Sequence, residues 1–135
     1  SERLKQKPPK PYESFVIGIA WDRHVLEERI DNRVEMQFQR GFVEEIRSLI
    51  AKGYCEDLPS MQGLGYKEVC LFLRGLLTLE EAKNLIKRNS RRFLKRQFTW
   101  FSRERGINWV SAGNDIGWAS TVNSARKLCI SWLNN

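Results

Sequence analysis

The stretch Thr78-Leu79-Glu80-Glu81-Ala82-Lys83-Asn84-Leu85-Ile86-Lys87-Arg88-Asn89-Ser90-Arg91-Arg92-Phe93-Leu94-Lys95-Arg96-Gln97-Phe98-Thr99-Trp100-Phe101 decides how this chain reads. Thr78 and Glu81 stand at capping-box spacing, the threonine placed to accept from the first turn and the glutamate to reach back. A helix therefore opens here, and is expected to run to about Arg105. Between Lys83 and Arg105 lie nine basic residues and one acid, Glu104. At about 100° per residue, Arg88, Arg92, Lys95, Arg96, Thr99 and Arg103 share one stripe, while Ala82, Ile86, Phe93, Leu94, Trp100 and Phe101 fall opposite. One flank is expected to be core and the other cationic.

Like charges on one stripe repel by a few tenths of a kcal/mol per i,i+4 pair, and a merely solvated face normally intersperses acids. A polyphosphate such as RNA or DNA would offset that repulsion; a solvated face is the plain alternative. From Lys95 to Phe101 the cations alternate with amide, hydroxyl and aromatic groups, a mixture suited to holding a nucleic-acid backbone and stacking a displaced base. Core packing competes for Phe98, Trp100 and Phe101, and is the preferred reading for Trp100.

Outward from this helix the pattern stays mostly helical. Leu26, Ile30, Val34 and Phe38 recur every four residues behind Asp22, a potential cap, until Gly41 interrupts; Phe42, Ile46, Leu49 and Ile50 then resume to Lys52-Gly53. After a loop ending at Leu58-Pro59-Ser60, Gly63-Leu64-Gly65-Tyr66-Lys67-Glu68 leads into a short helix through Leu73 that Gly75 stops. The glycines flanking Leu64 let backbone approach something closely. Ser14-Phe15-Val16-Ile17-Gly18-Ile19-Ala20 suits a strand buried on both faces of a parallel sheet. The other good strand candidate is Ile107-Asn108-Trp109-Val110, so a sheet holding both is expected to be completed by residues this chain lacks. Thr121 to Leu133 reads as an amphipathic helix. Three segments result: a basic, proline-bearing lead-in over 1–13, a body over 14–110 and a helical tail over 111–135. The fold class is α/β, predominantly helical, with few strands.

The 135 residues include 23 Lys plus Arg against 16 Asp plus Glu, a net charge of +7 that favours a polyanionic partner. No apolar run is long enough to span a bilayer, and Ser1 to Lys10 holds no stretch resembling a signal peptide, so neither membrane nor secretion is expected. Cys55, Cys70 and Cys129 fit neither a disulfide framework nor a metal knuckle, and read as reduced, semi-buried fillers in a cytosol-like compartment. With His24 the single histidine, neither a His-rich metal site nor a Ser-His or Cys-His pair is expected. No GxGxxG and no GxxxxGK[ST] occurs. Glu27, Glu28, Asp31, Glu35, Glu44 and Glu45 lie on helical segments that also carry Arg, and read as solvated ion pairs. Arg33 follows Leu26 by seven positions, beside the apolar stripe. A half-buried guanidinium wants an anion there, either a structural carboxylate or a bound phosphate group.

Several segments together resemble the C-terminal part of the tRNA dimethylallyltransferases (isopentenyltransferases). They are Ile30-Asp31-Asn32-Arg33-Val34, Gly41-Phe42-Val43-Glu44-Glu45-Ile46-Arg47, Asp57-Leu58-Pro59-Ser60-Met61-Gln62-Gly63-Leu64-Gly65-Tyr66-Lys67-Glu68 and Arg91-Arg92-Phe93-Leu94-Lys95-Arg96-Gln97-Phe98-Thr99-Trp100-Phe101. The likeness covers roughly residues 12 to 110, and its last two stretches are the specific ones.

The resemblance implies an enzyme that moves a dimethylallyl group from its diphosphate to the exocyclic amine of an adenosine beside the anticodon. It also implies a P-loop-kinase-like core with a helical insertion, of which this chain would be the C-terminal portion. The family's phosphate loop and general-base Asp belong to the N-terminal half, so this chain alone is expected to transfer nothing. By the family pattern Arg33 helps hold the diphosphate. Gln62, Gly63, Leu64, Gly65, Tyr66 and Lys67, together with Lys95, Arg96, Gln97, Phe98, Thr99, Trp100, Phe101 and Ser102, contact the anticodon arm around an extruded base. Arg92 joins them from the cationic stripe. Members commonly carry a basic residue where this chain has Ser102, with Arg103 adjoining. Mg2+ is implied for the full-length enzyme, with none expected here. The implied partners are tRNA and dimethylallyl diphosphate in the cytoplasm, with self-association through uncovered sheet edges a further expectation. The alternatives are a non-catalytic basic helical RNA-binding module and a protein-interaction domain.

Overall fold

Glycines and one threonine cap set most of the element boundaries in the computed structural model, which describes residues 13–54, 57–113 and 116–134. The elements are β1 (Val16–Trp21), α1 (Arg23–Gln39), α2 (Phe42–Ala51), α3 (Tyr66–Leu73), α4 (Leu79–Phe101), β2 (Ile107–Ala112) and α5 (Trp118–Leu133). They form two compact units: Arg23–Arg103 is one, and the segments to either side of it make the other. The lead-in over 1–13 falls, apart from Glu13, outside the described residues, as does Cys55.

The helical unit is built around Val34, Val43, Ile46, Met61, Val69, Cys70 and Ile86, with Phe38, Phe42, Leu49, Leu58, Tyr66, Phe72 and Leu73 packed against them. Fully burying a side chain such as Ile46 or Val69 contributes roughly 1.5–3 kcal/mol. Gly41 separates α1 from α2 with φ +90°, a conformation that favours glycine. Thr78 opens α4 as its spacing predicts: the hydroxyl accepts from the Glu81 amide at 3.2 Å, and the Glu81 carboxylate accepts from the Thr78 amide at 2.7 Å. Those bonds from Thr78, its backbone amide first, hold the Glu81 carboxyl below the usual carboxylate range. The helix stops at Phe101, four residues short of the predicted end. The Ser102 hydroxyl donates to the Thr99 carbonyl at 3.1 Å, and Gly106 turns the chain with φ +94°.

In the other unit β1 and β2 pair in parallel, from Val16 opposite Ile107 to Trp21 opposite Ala112. Parallel neighbours require a crossover, and here it is the entire Arg23–Arg103 segment. The predicted strand at Ile107 runs two residues further, to Ala112, and the tail helix begins three residues earlier, at Trp118. Helix α5 packs on β2, where Thr121, 2% exposed, donates its hydroxyl to the Ser111 carbonyl at 3.2 Å. Phe15 stacks on Trp132 with ring centroids 5.5 Å apart. Strand β1 is not the doubly buried strand its composition suggests: no residue of it is buried, and Val16 and Ile19 are exposed. With a single neighbouring strand, its apolar run has too little to pack against.

Candidate nucleic-acid interface

The cations of α4 sort into two sets. Lys83 and Lys87 reach the two carboxylate oxygens of Glu35 on α1, at 2.9 and 2.6 Å, and Arg91 pairs with Asp31 of the same helix. These bonds hold Glu35 below the usual carboxylate range, Lys87 contributing most, and push Lys83 above the usual lysine range. Arg88, Arg92, Lys95 and Arg96 on α4, and Arg103 in the turn after it rather than on the helix as predicted, are all exposed and have no acidic partner among the described residues. Arg96 lies over the Phe93 ring, 5.7 Å from its centroid. The row faces outward and keeps its charge.

Past Ser90 the opposite flank of α4 departs from the predicted core. Ala82 and Ile86 are buried, but Phe93, Phe98 and Phe101 are exposed, and Trp100 is 58% exposed, against the core reading preferred for it. Helix α4 packs against α1 and α3, and its last buried residue is Ser90. Trp100 meets Phe101 edge to face at 4.8 Å, and with Phe93, Arg96 and Gln97 they line a shallow apolar cleft. The Thr99 hydroxyl donates to the Lys95 carbonyl at 3.0 Å.

Arg33 is exposed rather than half-buried, and no carboxylate pairs with it among the described residues. Burial on α1 centres on Val34, not Leu26, so Arg33 follows Leu26 onto the wall of an open groove. That groove, about 580 Å³, lies between α1 and α4 and is lined by Leu26, Arg29, Ile30, Asn32, Arg33 and Met36 from one helix and Phe93, Leu94 and Gln97 from the other. It brings Arg33 and Gln97 to one place.

The turn before α3 is bent by Gly65, which is buried with φ +100°; a Cβ there would sit 3.2 Å from the Phe42 ring. Tyr66 packs edge to face on Phe42 at 5.3 Å, and its hydroxyl donates to Glu45 at 2.7 Å, a bond that pushes the phenol above its usual range. Gly65 and Tyr66 thus shape the turn, whereas Gln62, Leu64 and Lys67 are exposed on it. Asp31, Glu35 and Glu45 make bonds between elements that the solvated-pair reading did not anticipate; Glu27 and Glu44 pair along their own helices as expected. Glu68 was not singled out by sequence, although its place three residues after Gly65 is capping-box spacing.

A profile described as IPP transferase matches residues 1–104. The chain belongs to that family. Among curated relatives of this IPP transferase chain, the tRNA dimethylallyltransferase of Symbiobacterium thermophilum is 50% identical over 122 residues, covering 90% of this chain and 38% of the relative. That of Geobacter sulfurreducens is 43% identical over 113 residues, covering 84% and 36%. Among solved structures, the full-length tRNA isopentenylpyrophosphate transferase from Bacillus halodurans superposes with a TM-score of 0.85 at 35% identity, covering 92% of this chain and 40% of that one. The chain thus spans well under half the length of the relatives it matches.

Proposed function

We propose that this chain is the C-terminal portion of a tRNA dimethylallyltransferase with a P-loop-kinase-like core, and that its task is to grip the anticodon arm. The observation that carries the reading is the outward row of Arg88, Arg92, Lys95, Arg96 and Arg103, left without acidic partners while the remaining cations of α4's middle are neutralised by α1. Such a row follows a sugar-phosphate backbone and releases its counterions. The turn from Gln62 to Lys67 and the segment from Lys95 to Ser102 flank the extruded adenosine. Unstacking that base costs a few kcal/mol, offset by stacking and hydrogen bonds around it.

Arg33 serves as a diphosphate contact. Its exposed guanidinium borders a groove whose Leu26, Ile30, Met36, Phe93 and Leu94 walls suit a short prenyl tail. Positive charge held there stabilises the leaving diphosphate as the new C–N bond forms. On this reading Mg2+ acts in the full-length enzyme, beside the diphosphate. The phosphate loop and the general base come from the N-terminal half of the enzyme.

Binding of an anticodon stem-loop, followed by fluorescence anisotropy across a salt series, tests the reading. Replacing Arg92, Lys95 and Arg96 together by Ala is expected to flatten the slope of log affinity against log salt by about 0.7–0.9 per lost phosphate contact. An unchanged slope rules α4 out. The purified chain is expected to prenylate no RNA, and detectable transfer would refute the division of labour.

A further inference from the structure

Glu68 is the only charged residue buried among the described residues, at 5% exposure. Both of its carboxylate oxygens are engaged. Oε2 accepts from the Gly65 amide at 2.9 Å, and Oε1 accepts from the Asn89 side-chain amide at 2.8 Å. The first bond ends the Gln62–Gly65 turn; the second crosses to α4, one residue from Arg88 and three from Arg92.

We propose that Glu68 is a positioning residue for RNA engagement: it ties the Gln62–Lys67 turn to Asn89 of α4, so that turn and cationic row meet one RNA hairpin in fixed register. This rests on the RNA reading above. Capping alone does not account for the arrangement, because the Gly65 bond suffices for a cap. Taking a carboxylate out of water is costly unless its oxygens are satisfied, and an apolar residue would fill the same space without that cost. What the carboxylate adds is a link between two segments that are both proposed to touch RNA. Two contacts held in place by the protein lose less freedom on binding than two that must be ordered by the ligand.

The test exchanges donor and acceptor. N89D sets carboxylate against carboxylate, whereas E68Q alone leaves the pair bonded, because Asn89 can turn its oxygen to accept from the new Gln amide. In the E68Q/N89D double variant the bond reforms with its direction reversed, and the chain's net charge stays at +7. The N89D variant is expected to weaken affinity for an anticodon stem-loop about tenfold, the scale of one lost charged hydrogen bond. Hydrogen exchange at the Gly65 and Tyr66 amides should accelerate alongside. Adding E68Q should restore both readouts. Failure of the double variant to recover affinity overturns the proposal, as does accelerated exchange in N89D with affinity intact. If N89D does not fold, N89A removes the donor without adding a charge; it should lose the same tenfold with its circular dichroism unchanged, and undiminished binding overturns the proposal. If R92A/K95A/R96A leaves RNA affinity unchanged, the RNA reading fails and the positioning role with it. If that triple variant weakens binding and N89A does not, the positioning role alone falls.

Discussion

At Gly65 the backbone stands at φ +100° and ψ −43° with the Phe42 ring against it, so Gly65→Ala both strains the chain and drives a methyl toward an aromatic edge. The expected cost is about 1–3 kcal/mol, read from urea unfolding. Ile46 is 0% exposed at the centre of the helical unit, and Ile46→Ala should cost about 2–5 kcal/mol in the same assay. Both positions are legible in the sequence, one as a glycine ahead of a helix and the other as an apolar beat after Gly41. Arg33 and Trp100 were less so. Seven-residue spacing places Arg33 beside Leu26, but whether Leu26 faces core or groove depends on where α4 stops being covered, which no local pattern encodes. Trp100 is out of the core for the same reason, standing nearly three turns beyond Ser90, the last buried residue of α4.

Among the elements, α1 and α4 are joined by Glu35, whose carboxyl is held down chiefly by Lys87 and then Lys83. A carboxyl with a lowered folded value stabilises the fold above its ordinary value of 4.5, and that contribution fades as pH falls through the lower folded value. Lys83, raised chiefly by Glu35, contributes below its ordinary value of 10.5 and loses that contribution as pH climbs past its raised value. Glu35→Gln should therefore lower the melting temperature at neutral pH and make it fall less steeply on acidification below about pH 5. A variant whose acid limb parallels the wild type contradicts this account. Periodicity located both helices and the stripe, because a repeat of 3.6 is a property of one segment. It missed the Glu35 and Asp31 bridges because neither carboxylate has a Lys or Arg three or four residues away on its own helix, so the partner exists only once two helices pack.

For the molecule as a whole, the two units differ in how their backbone is protected. The helical unit surrounds Val34, Ile46, Val69 and Ile86, whereas the other relies on one pair of parallel strands and α5. Two strands with one covering helix are marginal by themselves. Native-state hydrogen exchange should thus find amides of Val16–Trp21 and Ile107–Ala112 opening at lower free energy than those of α1 and α4 near the core. Equal protection in both would contradict it. The sequence marked both segments as strands, since their composition singles them out, but not that they would pair with each other or that β1 would remain half-wetted.

Asp31 and Glu35 mask part of the long helix. They cover the field of Lys83, Lys87 and Arg91 and so narrow what would otherwise be a broad band of positive potential to a thin line. A chain stripped of both carboxylates would carry a broader positive band and is expected to hold heparin more tightly at equal salt. The acids on one rod thereby set the width of its neighbour's positive field.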